Sequence, residues 1–297
     1  MKFVVTGGAG FIGNNIVRQL LKQNHTPIVV DNLYRGKIER VSSLDVEFHK
    51  VDIRNYDKLR NILKNSDGIF HEAALTNVQE SFTKQQEYND VNVKGTENVF
   101  KIAKEFDLKV IYASTSSIYG NPQRIPIKEN SERIPINPYG QTKLDNEFLA
   151  EVYSKDNISI IGLRYFNVYG EGQTSSYAGV ITKFINRLKE KKSPIIFGSG
   201  TQLRDFIFVE DVALANIAAM KSDVKNGFFN IGTGITTSIQ QLAEIMIAIS
   251  ELELKPKYEK TLEGDIQSSQ ADTSLTESTL KWKYSMELKK GLSKIFN

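Results

Sequence analysis

The feature that most constrains this chain is the run Thr6-Gly7-Gly8-Ala9-Gly10-Phe11-Ile12-Gly13. It follows a short apolar, β-branched run, Phe3-Val4-Val5. After it, Ile12, Ile16, Leu20 and Leu21 recur at helical spacing until Pro27. The pattern reads as a strand, a glycine-rich turn and a helix, and Gly8, Gly10 and Gly13 satisfy G-x-G-x-x-G in the context that motif requires. Glycines let a backbone turn tightly and approach a pyrophosphate closely, while the helix N-terminus offers free N–H groups to the anion. Ile28-Val29-Val30 then reads as a second strand that ends at Asp31, 18 residues beyond Gly13. A carboxylate there accepts hydrogen bonds from both ribose hydroxyls and repels a 2′-phosphate. NAD is favoured over NADP, which Arg35 and Lys37 nearby leave open.

The rest of the chain repeats the strand-and-helix alternation. Strands are expected at 46–51, from Gly68, at 109–114, 159–163, 195–197, 204–209 and 227–231. Helices are expected at 55–65, 88–106, 139–154, 178–190, 210–221, around 239–249 and near 287–296. The fourth strand ends in His71-Glu72-Ala73-Ala74, small residues that leave room for a ligand at the carboxyl edge of an open sheet. The fold expected is α/β: a Rossmann-type, doubly wound parallel sheet with a smaller C-terminal α/β lobe interleaved with it. The first domain would cover 1–167, with 205–230 returning to it, and the second 168–204 and 231–297. A length of 297 residues with 40% hydrophobic content suits that size. A formal charge of +3 is too small to argue for nucleic acid or a membrane surface. The absence of cysteine excludes disulfides and thiolate chemistry. His25, His49 and His71 have no metal-type spacing, so no metal is expected. The chain enters a strand at once and carries no apolar run of membrane-spanning length, so a cytoplasmic setting is expected.

A second cluster lies at 112–143. Ser114-Thr115-Ser116-Ser117 ends an apolar run, and Tyr139 and Lys143 follow at the start of a helix after Pro138. Four residues apart, they share a helical face. A tyrosine titrates near ~10, too high for a base at neutral pH, and a nearby ammonium lowers it.

Taken in order, several segments resemble an extended short-chain dehydrogenase/reductase, and within it the nucleotide-sugar 4-epimerases. They are the glycine turn, Asp31-Asn32-Leu33, Asp52-Ile53, Asn92-Val93-Lys94-Gly95-Thr96, Ser117-Ile118-Tyr119-Gly120, Tyr139 to Lys143, Leu163 to Asn167, Arg204-Asp205-Phe206 and Ala271-Asp272. The resemblance covers almost the whole chain. It implies NAD as the cofactor, held by Gly7, Gly10, Phe11, Ile12, Gly13, Asp31, Asn32, Asp52, Ile53, Ala73, Ala74, Asn92, Tyr139, Lys143 and Phe166. It implies that Tyr139 takes the proton of the sugar 4-hydroxyl while hydride leaves C4. Lys143 would lower the Tyr139 pKa, and Thr115 would bond the reacting oxygen. Thr115, Asn167, Val180, Ile195, Phe197, Arg204 and Ser269 would hold a UDP-sugar, with core packing the alternative for Val180 and Phe197. Homodimers through the helices near 92–106 and 140–154 are expected on the same ground.

The family's 4,6-dehydratases and decarboxylases carry carboxyls near Thr115. Here Ser116 and Ser117 stand in those places, and a hydroxyl cannot relay a proton as a carboxyl does near neutral pH. A non-catalytic NAD-binding regulator would typically lack the tyrosine or the lysine. Ser269, three residues before Asp272, is small where a tyrosine is associated with plain hexoses, so both UDP-glucose and UDP-N-acetylglucosamine are expected substrates. Leu262 and Gln267 stand where relatives usually carry arginines that close on the diphosphate.

Overall fold

The computed structural model describes residues 1–173, 179–261 and 266–296. The chain begins β1 (Lys2–Thr6), α1 (Phe11–Lys22), β2 (Thr26–Asp31), β3 (Glu47–Lys50), α2 (Tyr56–Leu63) and β4 (Gly68–His71). Next come α3 (Val78–Thr83), α4 (Gln85–Tyr88), a π-helical stretch (Asn89–Lys94) and α5 (Gly95–Phe106). Then β5 (Val110–Thr115), α6 (Pro138–Ser154), β6 (Ile160–Tyr165), β7 (Asn167–Tyr169), α7 (Val180–Lys189) and β8 (Ile195–Phe197) follow. The rest is β9 (Leu203–Phe208), α8 (Val209–Lys221), β10 (Asn226–Ile231), β11 (Thr236–Ser238), α9 (Ile239–Ser250), β12 (Lys257–Glu259), α10 (Ser274–Leu280) and α11 (Leu288–Phe296).

The large sheet has seven strands in the order β10-β6-β5-β4-β1-β2-β3, and every neighbouring pair is parallel. A parallel sheet is covered on both faces, so its strands are apolar at consecutive positions. Val4 and Val5 illustrate this. Val5 packs with Val29, Ile16, Ile111 and Ala213, while Val4 packs on the other face with Ile28, Ile69, Val99 and Phe100. Strand β9 lies between β7 and β11 in a three-stranded sheet, and β12 pairs with β8. Phe184, Ile196, Phe208, Leu242, Met246 and Leu292 form the core of this second lobe. The very short strands β7, β11 and β12, and helices α3 and α10, are absent from the sequence reading. Three-residue strands are too brief to show alternation.

Helix α6 starts where its chemistry predicts. Pro138 sits in its first turn, and the Asn137 side chain caps it by accepting the Gly140 N–H at 2.7 Å. One turn beyond Lys143, Glu147 is fully buried and accepts both guanidinium arms of Arg164 on β6, at 2.9 and 2.7 Å. Ser114 on β5 donates to the same carboxylate at 2.7 Å. Arg133 also donates to Glu147 Oε2, at 3.1 Å, but is partly exposed; removing Arg164 leaves the buried carboxylate with that partner and Ser114 alone, so Arg164→Met is expected to cost about 3 kcal/mol. Urea denaturation checks this, and the double variant with Glu147→Leu should recover most of the loss.

Candidate active site

The cleft lies at the carboxyl edge of the large sheet, at the switch between β1 and β4. It encloses about 410 Å³. At one end is the glycine turn. Gly7 has φ +69°, and a Cβ on it would lie 2.8 Å from the Ala73 nitrogen; one on Gly13 would lie 2.3 Å from the Gly7 carbonyl. A larger residue at either place would push the turn apart. Gly10 caps α1 with no side-chain hydrogen bond, so the first-turn N–H groups of Phe11, Ile12 and Gly13 face the cleft without intrahelical acceptors. Such a cradle fits a pyrophosphate.

Two carboxylates stand on the wall beyond the glycine turn. Asp31 accepts the N–H of Ala9 at 3.1 Å and of Leu33 at 2.8 Å. Asp52 is held by Asn32 at 2.9 Å and by Arg54, which draw its carboxyl down to about 2. Arg40, which the sequence reading missed, ends a short 3-10 turn (Ile38–Arg40) and donates to the Ala9 carbonyl at 3.3 Å and to the Gly172 carbonyl. It ties the glycine turn to the segment after β7.

At the other end Tyr139, Lys143 and Thr115 share the wall with Phe166, Ala73 and Ala74. Thr115, at the end of β5, hydrogen-bonds the Tyr139 phenol. The Lys143 ammonium donates to the Ala113 carbonyl at 3.0 Å. Burial dominates both groups. It pushes the Tyr139 phenol up to about 12, opposed by the Thr115 hydrogen bond, and pushes Lys143 down to about 8. The expected lowering of Tyr139 by Lys143 is therefore not what these side chains produce by themselves.

Of the residues singled out in the sequence, Gly7, Gly10, Phe11, Ile12, Gly13, Asp31, Asn32, Asp52, Ile53, Ala73, Ala74, Thr115, Tyr139, Lys143 and Phe166 line this one cleft. Asn92 stands behind it. Its amide bonds the Leu75 N–H and carbonyl at 2.8 and 2.9 Å and the Thr142 hydroxyl at 3.0 Å, so it braces the wall. The residues expected to hold a sugar nucleotide, Thr115 apart, do not line this cleft and lie on β7, β8, β9, α7 and the segment before α10. Asn167 donates to the Asp205 carbonyl at 3.1 Å, and Ser269 donates its N–H to the Leu203 carbonyl at 3.1 Å. Arg204 lies on β9, Ile195 and Phe197 on β8, and Val180 begins α7. Gln267 accepts the Leu203 N–H through its carbonyl at 2.9 Å; Leu262 lies outside the described residues. Glu72 and Tyr165 also stand on this wall and were not singled out as site residues in the sequence. An acid among the small residues ending β4 was the available signal for the first.

The match to protein families agrees with this geometry. Residues 3–232 match the model of the NAD dependent epimerase/dehydratase family. A UDP-glucose 4-epimerase of Dictyostelium discoideum is 34% identical over 313 residues, covering 95% of this chain and 91% of its own. The crystal structure of a UDP-glucose 4-epimerase of Thermotoga maritima with UDP-glucose superposes with a TM-score of 0.95 at 31% identity, covering 100% of this chain and 97% of that one. A UDP-N-acetylglucosamine 4-epimerase of Methanobrevibacter ruminantium in complex with UDP-N-acetylmuramic acid gives 0.94 at 35%, covering 99% and 96%. The chain belongs to the NAD dependent epimerase/dehydratase family. Its cofactor is NAD, which the glycine cradle and the Asp31 carboxylate fit.

His71 shows what burial does beside this cleft. Its ring bonds the hydroxyls of Thr6 at 2.7 Å and Thr96 at 2.9 Å, and desolvation pushes it down to about 3. Between that value and the ~6.5 of an exposed histidine the unfolded chain binds the extra proton, so stability is whole above that range and falls as pH drops through it. The urea midpoint should decrease from neutral pH toward acid, and less steeply in His71→Gln.

Proposed function

We propose that this chain interconverts UDP-hexoses that differ at C4, UDP-glucose with UDP-galactose and UDP-N-acetylglucosamine with UDP-N-acetylgalactosamine. The observation that carries the reading is the convergence of Tyr139, Thr115 and Lys143 on one wall of the cofactor cleft, with hydroxyls and no carboxyl at Ser116 and Ser117. Bound NAD supplies a hydride acceptor that returns the hydride, and a cationic ring. Tyr139 receives the proton of the sugar 4-hydroxyl and gives it back after the sugar has turned. Thr115, already bonded to the phenol, holds the reacting oxygen in line with it. Lys143, anchored on the Ala113 carbonyl, stands on the same wall, and the cationic ring supplies the charge that favours the phenolate. The second lobe, 168–204 and 231–297, holds the sugar nucleotide, with Arg204 suited to the diphosphate. Asn167, Val180, Ile195 and Phe197 are the other contacts. Ser269 is buried yet small, which supports room for an acetamido group. Phe148 and Val152 are 46% and 57% exposed on the outer face of α6, which supports a homodimer through α5 and α6.

The test is incubation of the purified protein, without added NAD, with UDP-glucose, UDP-galactose and both N-acetyl forms, followed by product separation. Inversion at C4 is expected; no product from any of the four ends the reading. Tyr139→Phe should lower kcat by about 10²–10⁴-fold with the fold intact, since it deletes one acid–base group. Ser269→Tyr should suppress turnover of the N-acetyl sugars while sparing UDP-glucose, and equal losses on both would refute the assignment of Ser269 to the sugar pocket.

A further inference from the structure

One acid on the cleft wall, Glu72, has no part in the proposed acid–base steps. Glu72 follows β4, and its backbone N–H donates to the Thr6 carbonyl at 3.1 Å, which pins it against the glycine turn. The Tyr165 hydroxyl on β6 donates to its Oε1 at 2.9 Å. Asn216 on α8 in turn donates to that hydroxyl at 2.8 Å and to the Val212 carbonyl at 2.9 Å. This chain of donors holds one carboxyl oxygen on the wall shared with Tyr139 and Lys143. Among the described residues, Oε2 has no hydrogen-bond partner.

The acids on the walls of the cleft are Asp31, Asp52, Glu72 and Glu87. Backbone N–H groups hold Asp31, Arg54 and Asn32 hold Asp52, and Glu87 lies 3.6 Å from Lys84. Glu72 is the one whose charge acts on Lys143. The groups facing Glu72 are Lys143 and Tyr139 from α6, Tyr165 from β6, Asn216 behind Tyr165, and Thr6 with the neutral His71 beside them. Burial pushes the Glu72 carboxyl up to about 8, so it holds a proton at neutral pH when Lys143 is its only neighbouring cation. An oxidised nicotinamide adds a second positive charge to the same desolvated space. Two like charges there are costly without an anion.

We propose that Glu72 is the counter-charge of the oxidised cofactor: its carboxyl ionises when the nicotinamide ring is cationic and takes up a proton when the ring is reduced. This rests on the ring lying beside Tyr139 and Lys143, as in the proposed function. The balance is simple. Two electrons and one proton enter the ring, and a second proton passes from solvent to Glu72 Oε2. The carboxylate thereby favours the oxidised cofactor, and does so more strongly as pH rises toward the titration of the acid.

The test uses the NAD-loaded protein without sugar, equilibrated with a low-potential viologen couple as reductant across a range of pH. It is run in the Tyr139→Phe background, so that the phenol takes up no proton. One proton per two electrons lowers the potential by about 30 mV per pH unit, and two protons lower it by about 60 mV. Tyr139→Phe is expected to follow the steep line up to about pH 8 and the shallow one above it. Tyr139→Phe/Glu72→Gln, whose amide still accepts from Tyr165, should lose the proton that Glu72 takes up and so run shallower below pH 8, where only the Lys143 ammonium, itself pushed down to about 8, adds to the one-proton line. Adding Tyr165→Phe instead removes a hydrogen bond that favours the carboxylate, so the break should move to higher pH. Identical slopes with and without Glu72, or a break that stays in place without the Tyr165 hydroxyl, would overturn the proposal. Because no sugar is present, failure of the protein to epimerise UDP-sugars is a separate result and leaves these slopes readable.

Discussion

The buried contact between Arg164 and Glu147 is the constraint on which the site geometry depends. Both side chains are almost wholly removed from water, and Arg164 also donates to the Tyr119 hydroxyl and the Glu129 carbonyl, each at 2.7 Å. Its guanidinium lies 5.2 Å from the Tyr119 ring centroid and 5.0 Å from that of Phe228. A pair taken so far out of water adds little net stability, because desolvation offsets the attraction. What it does supply is position. Tyr139, Lys143 and Glu147 recur every four residues on α6 and so share a face. Fixing Glu147 against β5 and β6 therefore fixes the height and rotation at which Tyr139 and Lys143 meet the sheet edge. Ser114, which donates to Glu147, is the residue before Thr115, so the same contact sets the hydroxyl that bonds the phenol.

With positions fixed, the electrostatics depend on what enters the cleft. Burial moves Tyr139 and Lys143 toward their neutral forms from opposite sides. The phenol keeps its proton at neutral pH unless a cation closer than Lys143 is present. In the proposed reaction the phenol therefore becomes a base only once the cationic ring lies beside it. This coupling is a consequence of low solvation rather than of any direct Tyr139–Lys143 contact, since Lys143 spends its hydrogen bond on Ala113. Arg40 bears on the same coupling from the far end of the cleft. By bonding both the glycine turn and Gly172, it closes the segment after β7 over the cofactor end.

The large sheet was legible because its strands are apolar at consecutive positions and separated by helices with apolar faces, a pattern that parallel sheets enforce. The glycine turn and Asp31 were legible because backbone geometry leaves little freedom in residue type there. Tyr139 and Lys143 were visible as a pair, but the sign of the local electrostatics was not. It depends on burial, which spacing alone does not reveal. Glu72 was hidden among small residues for a related reason. Its character comes from Tyr165 and Lys143, which lie 93 and 71 positions further along the chain. The second lobe was the least legible part. Strands β7, β8, β11 and β12 are three residues long, and the longer β9 pairs with β7 and β11 instead of joining the large sheet.

That lobe nonetheless has an organising residue, and it explains how Ser269 acquires a defined place. Asp205, buried on β9, accepts the Thr233 N–H at 2.8 Å, the Thr233 hydroxyl at 2.6 Å, the Gly234 N–H at 2.9 Å and the Ala271 N–H at 3.1 Å. Burial raises this carboxyl, while each of these donors favours its charged form. Four donors on one carboxylate gather the turn after β10 and the strand-like segment before α10 onto β9. Ser269 is two residues from Ala271, and its own N–H is bonded to Leu203, two residues before Asp205. The position that would admit or refuse a 2-acetamido group is thus set by β9 rather than by a free loop. A change of side chain there alters the space available and leaves the backbone where it is. Under the proposed function a single substitution at Ser269 alters sugar preference, while Asp205 fixes β9 and the Arg164–Glu147 pair fixes α6.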